Sequence, residues 1–550
     1  MPKMLIFIGK NIKNIVKNIE KSPTNFYLWS LSFFSIIIIR LLTEVFLFKL
    51  TIKKDSYFFL YEFTHTFLFF LISYLLFLFL LTSILKTNIK KSSNLLLFGF
   101  VSIIIPPIVD FIFSGGKGFW SFYKFDSIFG LIKRFFTFFG DNPQMGITYG
   151  VRFEILLMLF LLFLLSYIKT KRRFFSFFIV FISYLVFFIL GTFPSYITFL
   201  LKGFQKNIFQ ISDLAIAQLF LTPITLFAQK THSIESALNI KMSLIYTIFL
   251  SGIILIGFFL NYRKKFLIFL SNIRPAQIVY HLGLFAIGVK LGETFTKTTI
   301  SWNFFNIIAL LNISLAITLS WITSVIINDI FDEKIDRISN TERPLVSGGF
   351  TKNDYLAIGM STFFFSILFS IIVSPKISLL LIAYQALASI YSIPPLRFKK
   401  IVFLSAIISS FASVLIFISG FILISPNQDI VQLPYQIIWL LFISLSLSLP
   451  IKDLKDISGD KKYYVKTIPV VFGEYWGKII IGFGVFISYI LSVILLNEYR
   501  LFWWAVIFGS FSFWTINCPG KIKLITNKNL IWWLLIILFF YLIVIYFKFI

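Results

Sequence analysis

An all-α integral membrane protein of about 15 transmembrane helices is the fold class that the sequence predicts, and three observations carry it. Of 550 residues, 58% are hydrophobic, 20% aromatic and only 13% charged. Soluble domains carry roughly a quarter charged residues, so a water-soluble surface cannot be built from this inventory. Apolar stretches such as Tyr27 to Phe48, Phe174 to Leu200, Leu404 to Ile424 and Leu530 to Tyr546 reach the ~20 residues that a helix needs to cross a hydrocarbon core roughly 30 Å thick. The basic residues, finally, gather in short clusters between such stretches.

Taken in order, six spans are expected near residues 27–49, 57–85, 94–114, 150–168, 174–200 and 241–261. Nine more are expected near 276–292, 301–329, 353–373, 377–392, 401–424, 435–452, 474–496, 500–516 and 529–547. The N-terminal segment 1–26 has apolar residues at helical spacing with lysines on the other face, which fits a basic amphipathic helix on the membrane surface or a solvated tail. No cleavable signal peptide is evident there. The boundary between the two groups of spans is expected in the basic stretch Asn261 to Pro275, dividing the chain into 27–264 and 265–550. Pro106-Pro107 should break a helix, and Gly115-Gly116 with Phe119 to Phe139 reads as a re-entrant or interfacial element.

The net charge of +27 comes from 50 Lys and Arg against 23 Asp and Glu. Its distribution in clusters between spans points to lipid headgroups and topology control, and nucleic acid is not an expected partner. With the N-terminus inside, Lys86, Lys90 and Lys91, the Lys169 to Arg173 cluster, Arg263 to Lys265 and Arg397 to Lys400 all fall on the inner side. The acidic motifs described next are then cytoplasmic, in the cell membrane. The single Cys518 excludes an intramolecular disulfide framework. His65, His232 and His281 are too scattered for a metal cluster and read as satisfied polar residues.

Chemistry concentrates in the second half. In NDIFDEKID, Asn328 to Asp336, the carboxylates Asp329, Asp332 and Asp336 are three and four residues apart, on one face of a helix at its inner end. Such a ladder repels itself and is costly to bury unpaired. A divalent cation resolves the conflict, and oxygen ligands with open positions for phosphate suit Mg²⁺. KDLKDISGD repeats the pattern with Asp453, Asp456 and Asp460, compensated by Lys452, Lys455, Lys461 and Lys462. Between the two lies YSIPPLRFKK, whose Arg397, Lys399 and Lys400 suit outer phosphate oxygens. A solvated helix cap explains either acidic run alone, but two ladders with a basic turn point to a metal-diphosphate site.

These segments resemble the UbiA superfamily of membrane prenyltransferases. NDIFDEKID is similar to its NDxxDxxxD motif and DISGD to its DxxxD motif. ERPLVSG after the first motif, the Tyr391 Tyr-Ser-x-Pro-Pro turn, KTIPVVFG from Lys466 and Arg274-Pro275 add to the likeness, which covers about residues 265–550. The resemblance implies that the last nine helices form a UbiA-like bundle. It also implies Mg²⁺-dependent transfer of an isoprenoid group from a prenyl diphosphate to a lipophilic acceptor that is aromatic, a quinone precursor or a lipid alcohol. Asn328, Asp329, Asp332 and Asp336 would then bind one magnesium-diphosphate edge and Asp456 and Asp460 the other, with Asp453 an additional carboxylate. Arg343 and Tyr391 join the diphosphate-binding set. The motifs favour the branch of geranylgeranylglyceryl phosphate geranylgeranyltransferases and chlorophyll synthases.

The first six spans lie outside this resemblance. Their polar residues Arg40, Glu44, Asp110, Arg152 and Glu154 are functional candidates, or structural pairs, Arg40 with Glu44 and Arg152 with Glu154. The rival reading for the whole chain is a transporter or channel that passes cations along its acidic residues. Transport sites more often lie at the membrane midplane on broken helices.

Overall fold

The computed structural model describes residues 2–48, 58–204, 207–227, 229–230, 233–517, 526 and 529–549. His232 and Cys518 lie outside the described residues. Among the described residues the regular structure is helical apart from two short two-stranded pairings, Trp120–Ser121 with Met145–Gly146 and Thr225–Leu226 with Gln229–Lys230. Among the described residues thirteen helices are long and apolar enough to cross a membrane, as expected of an integral multi-pass protein. The two remaining expected spans are also helices. Phe502–Asn517 has 16 residues, too few to cross unaided, and the 18-residue Pro375–Ser392 is made more polar by Lys376 and Gln385.

The chain packs as two compact units, residues 1–224 with 231–253 and residues 225–230 with 254–550, and the division falls within helix Ile234–Asn261.

In the first unit, helix Pro2–Lys21 is tied down at its end by Asn94, whose Nδ2 donates to the carbonyls of Ile19 and Ser22 at 3.3 and 3.0 Å. Proline sets two breaks. Helix Ile89–Phe100 gives way to one 3₁₀ turn and resumes as Ile105–Phe113 with Pro106 and Pro107 in its first turn, where no amide hydrogen is needed. The expected span 174–200 is interrupted after Gly191 and restarts at Phe193, again with proline in the first turn. Asp110 ties helix Ile105–Phe113 to the start of helix Tyr149–Thr170, accepting from Thr148 Oγ1 at 2.6 Å and Gly150 N at 2.8 Å. Arg40 pairs with Glu44 at 3.4 Å as expected. Arg152 does not pair with Glu154. Side chains two apart on a helix point in different directions, and Arg152 donates to the carbonyls of Phe139, Gly140 and Ile147.

In the second unit, helices are joined where small residues let backbones approach, the usual device where lipid supplies no hydrophobic drive between helices. A Cβ at Gly288 would lie 2.1 Å from the Phe417 carbonyl oxygen, and one at Gly420 2.1 Å from that of Phe285. Helices Pro275–Thr296 and Leu404–Ile424 therefore touch backbone to backbone. Buried hydroxyls join the next pair, helices Phe304–Ser339 and Lys352–Val373, through Ser320 with Ser366 at 2.6 Å and Thr323 with Thr362 at 2.8 Å. Gln385 Nε2 adds a donation to the Ser320 carbonyl at 2.8 Å.

Because backbone cannot yield as a side chain can, Gly288→Val should force helices Pro275–Thr296 and Leu404–Ile424 apart and destabilise the protein by at least the ~1–3 kcal/mol typical of overpacking. A lowered melting temperature of the detergent-purified protein is expected; an unchanged one would show that the contact is loose.

Candidate active site

Helix Phe304–Ser339 carries the first acidic segment. Asn303 caps its start, accepting from Asn306 N at 2.9 Å. Its end packs on a cluster in which Ile326, Ile330, Phe350 and Tyr355 are buried with Phe258 and Ile268 around them. The three carboxylates share a face but differ in their partners, with Arg343 common to Asp329 and Asp336. Asp329, 1% exposed, accepts from Arg274 Nη2 at 2.8 Å and Arg343 Nη1 at 2.9 Å on one oxygen, and from Asn272 Nδ2 at 2.6 Å and Tyr355 OH at 3.1 Å on the other. Four donors saturate a carboxylate. Asp332 is held by Arg397 Nη2 at 2.8 Å and by Lys399 Nζ. Asp336 pairs with Arg343 and accepts from Asn340 Nδ2 at 3.2 Å.

The second acidic segment is not one helix. Pro450 opens a 3₁₀ stretch, Leu449–Lys455, that carries Asp453; Asp456 sits at the junction; and the short helix Ile457–Lys462 carries Asp460. The spacing of three and four residues that suggested a single ladder instead spans a change of helix type. The two segments meet at Gly459, whose amide donates to Ser339 Oγ at 3.0 Å and where a Cβ would lie 2.4 Å from that oxygen and 3.0 Å from the Ile335 carbonyl. Asn340 joins them a second time by donating to Asp456 Oδ1 at 2.9 Å as well as to Asp336.

A cavity of about 250 Å³ lies between the segments. Of the residues singled out from the sequence, Asn328, Asp332, Asp336, Arg343, Tyr391, Lys399, Asp453, Asp456 and Asp460 line it. Asp329, Arg397 and Lys400 are not on its wall: Asp329 lies behind the cations it binds, Arg397 reaches Asp332 and the Phe331 carbonyl, and Lys400 is exposed. Arg274, Lys452 and Lys455 also face the cavity. Lys452 Nζ lies 4.6 Å from the Tyr391 ring centroid and donates to Ser409 Oγ at 2.9 Å. The deeper wall includes Tyr280, His281, Trp321 and Tyr384. His281 is satisfied by the Gln277 carbonyl at 2.6 Å and Tyr384 OH at 3.2 Å, as His65 is by Tyr123 OH at 2.6 Å. Asn272, Asn340 and Tyr355 carried no sequence signal, whereas Arg274 stood out through its Arg-Pro pair.

The electrostatics fit a bound divalent cation. Burial, and then the carboxylates of Asp453 and Asp456, push Asp460 up to about 8 against the opposing pull of Lys399. Burial alone would lower Arg343, but Asp329 and Asp336 outweigh it and hold its pKa above the usual value. Among the described residues no three carboxylate or imidazole groups converge into a complete metal cage. Mg²⁺ does not require one, since it is commonly held by one or two carboxylates with water and substrate phosphate filling the other positions.

Removing one partner of a buried charged network typically costs ~3–5 kcal/mol. Asp329→Asn leaves Arg274 and Arg343 without their shared anion, so a marked fall in the melting temperature of the purified protein is expected. An unchanged melting temperature would show that water or the other aspartates replace Asp329.

Residues 299–519 match the UbiA prenyltransferase family. The digeranylgeranylglyceryl phosphate synthase of Methanococcus maripaludis is 30% identical over 224 residues, covering 37% of this chain and 77% of that protein. The synthase of Methanoregula boonei is 27% identical over 205 residues, 37% of this chain and 68% of that protein. The chain spans about half the length, 52%, of the Methanosphaera stadtmanae synthase, at 29% identity over 27% of its own length. A UbiA homolog from Archaeoglobus fulgidus bound to DMAPP and Mg²⁺ aligns with a TM-score of 0.41 at 20% identity, over 50% of this chain and 96% of that one. With NDIFDEKID, DISGD and the matched region together, the chain belongs to the UbiA prenyltransferase family.

Proposed function

We propose that this protein catalyses Mg²⁺-dependent transfer of an isoprenoid group from a prenyl diphosphate to a membrane-associated acceptor, an aromatic compound, quinone precursor or lipid alcohol, with release of diphosphate. The observation that carries this reading is the convergence of two acidic segments and several cations on one cavity with an aromatic inner wall. On this reading Asp332, Asp336, Asp456 and Asp460, with Asp453 beside them, hold the metal, which when bound neutralises charge on the diphosphate. Asp329 acts behind them by fixing Arg274 and Arg343.

In the reaction the allylic carbon–oxygen bond breaks heterolytically and the diphosphate leaves with the electron pair. The acceptor's nucleophilic atom bonds to the allylic carbon and gives up a proton. Arg343, Lys399, Lys452 and Arg274 stabilise the departing anion, with Asn328 a neutral hydrogen-bonding partner. The rings of Tyr280, Trp321, Tyr384 and Tyr391 offer faces to the allylic cation and keep water away from it. The positive-charge bias between spans supports a cytoplasmic mouth for the site, in the cell membrane.

Relatives named digeranylgeranylglyceryl phosphate synthase and 2-acylphloroglucinol 4-prenyltransferase both match this chain, which supports a range from lipid alcohol to aromatic ring. Incubating the protein with Mg²⁺, a panel of prenyl diphosphates and membrane lipid extract, with mass spectrometry of the products, is expected to reveal a prenylated lipophile that is absent when chelator is in excess. Asp332→Asn and Asp460→Asn should each slow the reaction by ~10²–10³-fold. Because both act on one ligand, the double variant should lose much less than the product of the two effects. Near-normal rates in either single variant would remove that segment from the diphosphate site.

A further inference from the structure

The first unit, which lies outside the matched family region, contains a cavity of about 650 Å³. Its walls carry four glutamates, Glu44, Glu62, Glu154 and Glu235, against Arg40 and Lys117. Arg40 is already engaged, pairing with Glu44 at 3.4 Å and lying 5.3 Å from the centroid of the Phe70 ring. Glu62 and Glu154 make no hydrogen bond and no ion pair among the described residues, and Arg40 is the cation whose charge reaches both. Arg40 alone cannot neutralise Glu44, Glu62 and Glu154, and Lys117 makes no ion pair with any of them among the described residues. Both glutamates stand on membrane-spanning helices, Phe58–Ile84 and Tyr149–Thr170, where a charge without a counter-ion is costly and marks a functional site.

The rest of the wall is aromatic. Phe69, Phe77, Phe100 and Trp120 border the cavity, and Phe70 on the same wall already carries a cation, Arg40, over its ring. Aromatic faces attract cations most strongly where water is excluded. Surplus carboxylate, aromatic faces and a volume in the range of small-molecule sites together select one ligand class. We propose that this cavity binds an amphipathic organic cation, an alkyl- or arylammonium or similar onium ion, with its charge balanced by Glu62 and Glu154 and its apolar body packed between the rings.

The test is equilibrium binding of radiolabelled tetraphenylphosphonium to the full-length protein in nanodiscs of uncharged lipid, with empty nanodiscs as the blank. Saturable binding is expected, undisturbed by excess neutral triphenylphosphine oxide. Glu62→Gln and Glu154→Gln, each checked for an unchanged melting temperature without probe, should each weaken binding by about tenfold or more, the scale of ~1.4 kcal/mol. Absence of saturable binding to the wild type overturns the proposal, as does wild-type affinity in either variant. Displacement by the neutral oxide as effective as by unlabelled tetraphenylphosphonium also overturns it, and would identify an apolar pocket for lipid tails. That comparison uses the wild-type protein alone, so it decides the matter even where a variant fails to fold.

Discussion

Charge placed in a low-dielectric interior has to be compensated, and in the second unit this requirement centres on Asp329. Its four donors come from three places in the chain: Asn272 and Arg274 ahead of the first helix of the bundle, Arg343 in the turn after the motif, and Tyr355 on the following helix. None of the four alone justifies burying a carboxylate. Together they saturate it, and in doing so they orient two guanidinium groups at the cavity. Arg343 then also holds Asp336, so the acidic ladder is stabilised from behind while its remaining members face inward.

The second constraint is steric. Two acidic segments more than a hundred residues apart reach one cavity only because Gly459 lets the short helix Ile457–Lys462 lie against the end of helix Phe304–Ser339. The same economy of side-chain volume sets Gly288 against Phe417 and Gly420 against Phe285 deeper in the unit. Small residues thus place the elements, and charge compensation then sets the side chains. Burial and the neighbouring carboxylates of Asp453 and Asp456 raise Asp460, which suits a site completed by an added cation.

Much of this was legible in the sequence because apolar runs and acidic spacing are local signals. Among the described residues each expected span falls on helix, with breaks at Val101–Ile104 and Thr192, and both acidic segments and Tyr391 line one cavity, as the motifs implied. What escaped were relations that depend on tertiary placement. Asn340 joins Asp336 to Asp456 across the fold, and nothing near it in sequence marks an asparagine with that task. Asp329 looked equivalent to Asp332, since helical spacing reports which face a residue occupies but not which donors wait there. Regular spacing also misled at Asp453 to Asp460, where Pro450 changes the helix type. Arg152 and Glu154 were paired by proximity in sequence although helical geometry separates them. Of the first unit's cavity, Arg40, Glu44 and Glu154 stand out in the sequence as polar residues in apolar spans, but their convergence could not be read, because the glutamates come from different helices and share no motif.

The central claim is that both acidic segments act on one metal-bound diphosphate. The most direct measurement is the affinity of an unreactive prenyl thiodiphosphate for the full-length protein, with and without Mg²⁺, in the wild type and in Asp336→Asn and Asp456→Asn. The account predicts that Mg²⁺ tightens binding by about tenfold or more in the wild type and that either substitution abolishes the tightening. Full Mg²⁺-dependent tightening in either variant would contradict it.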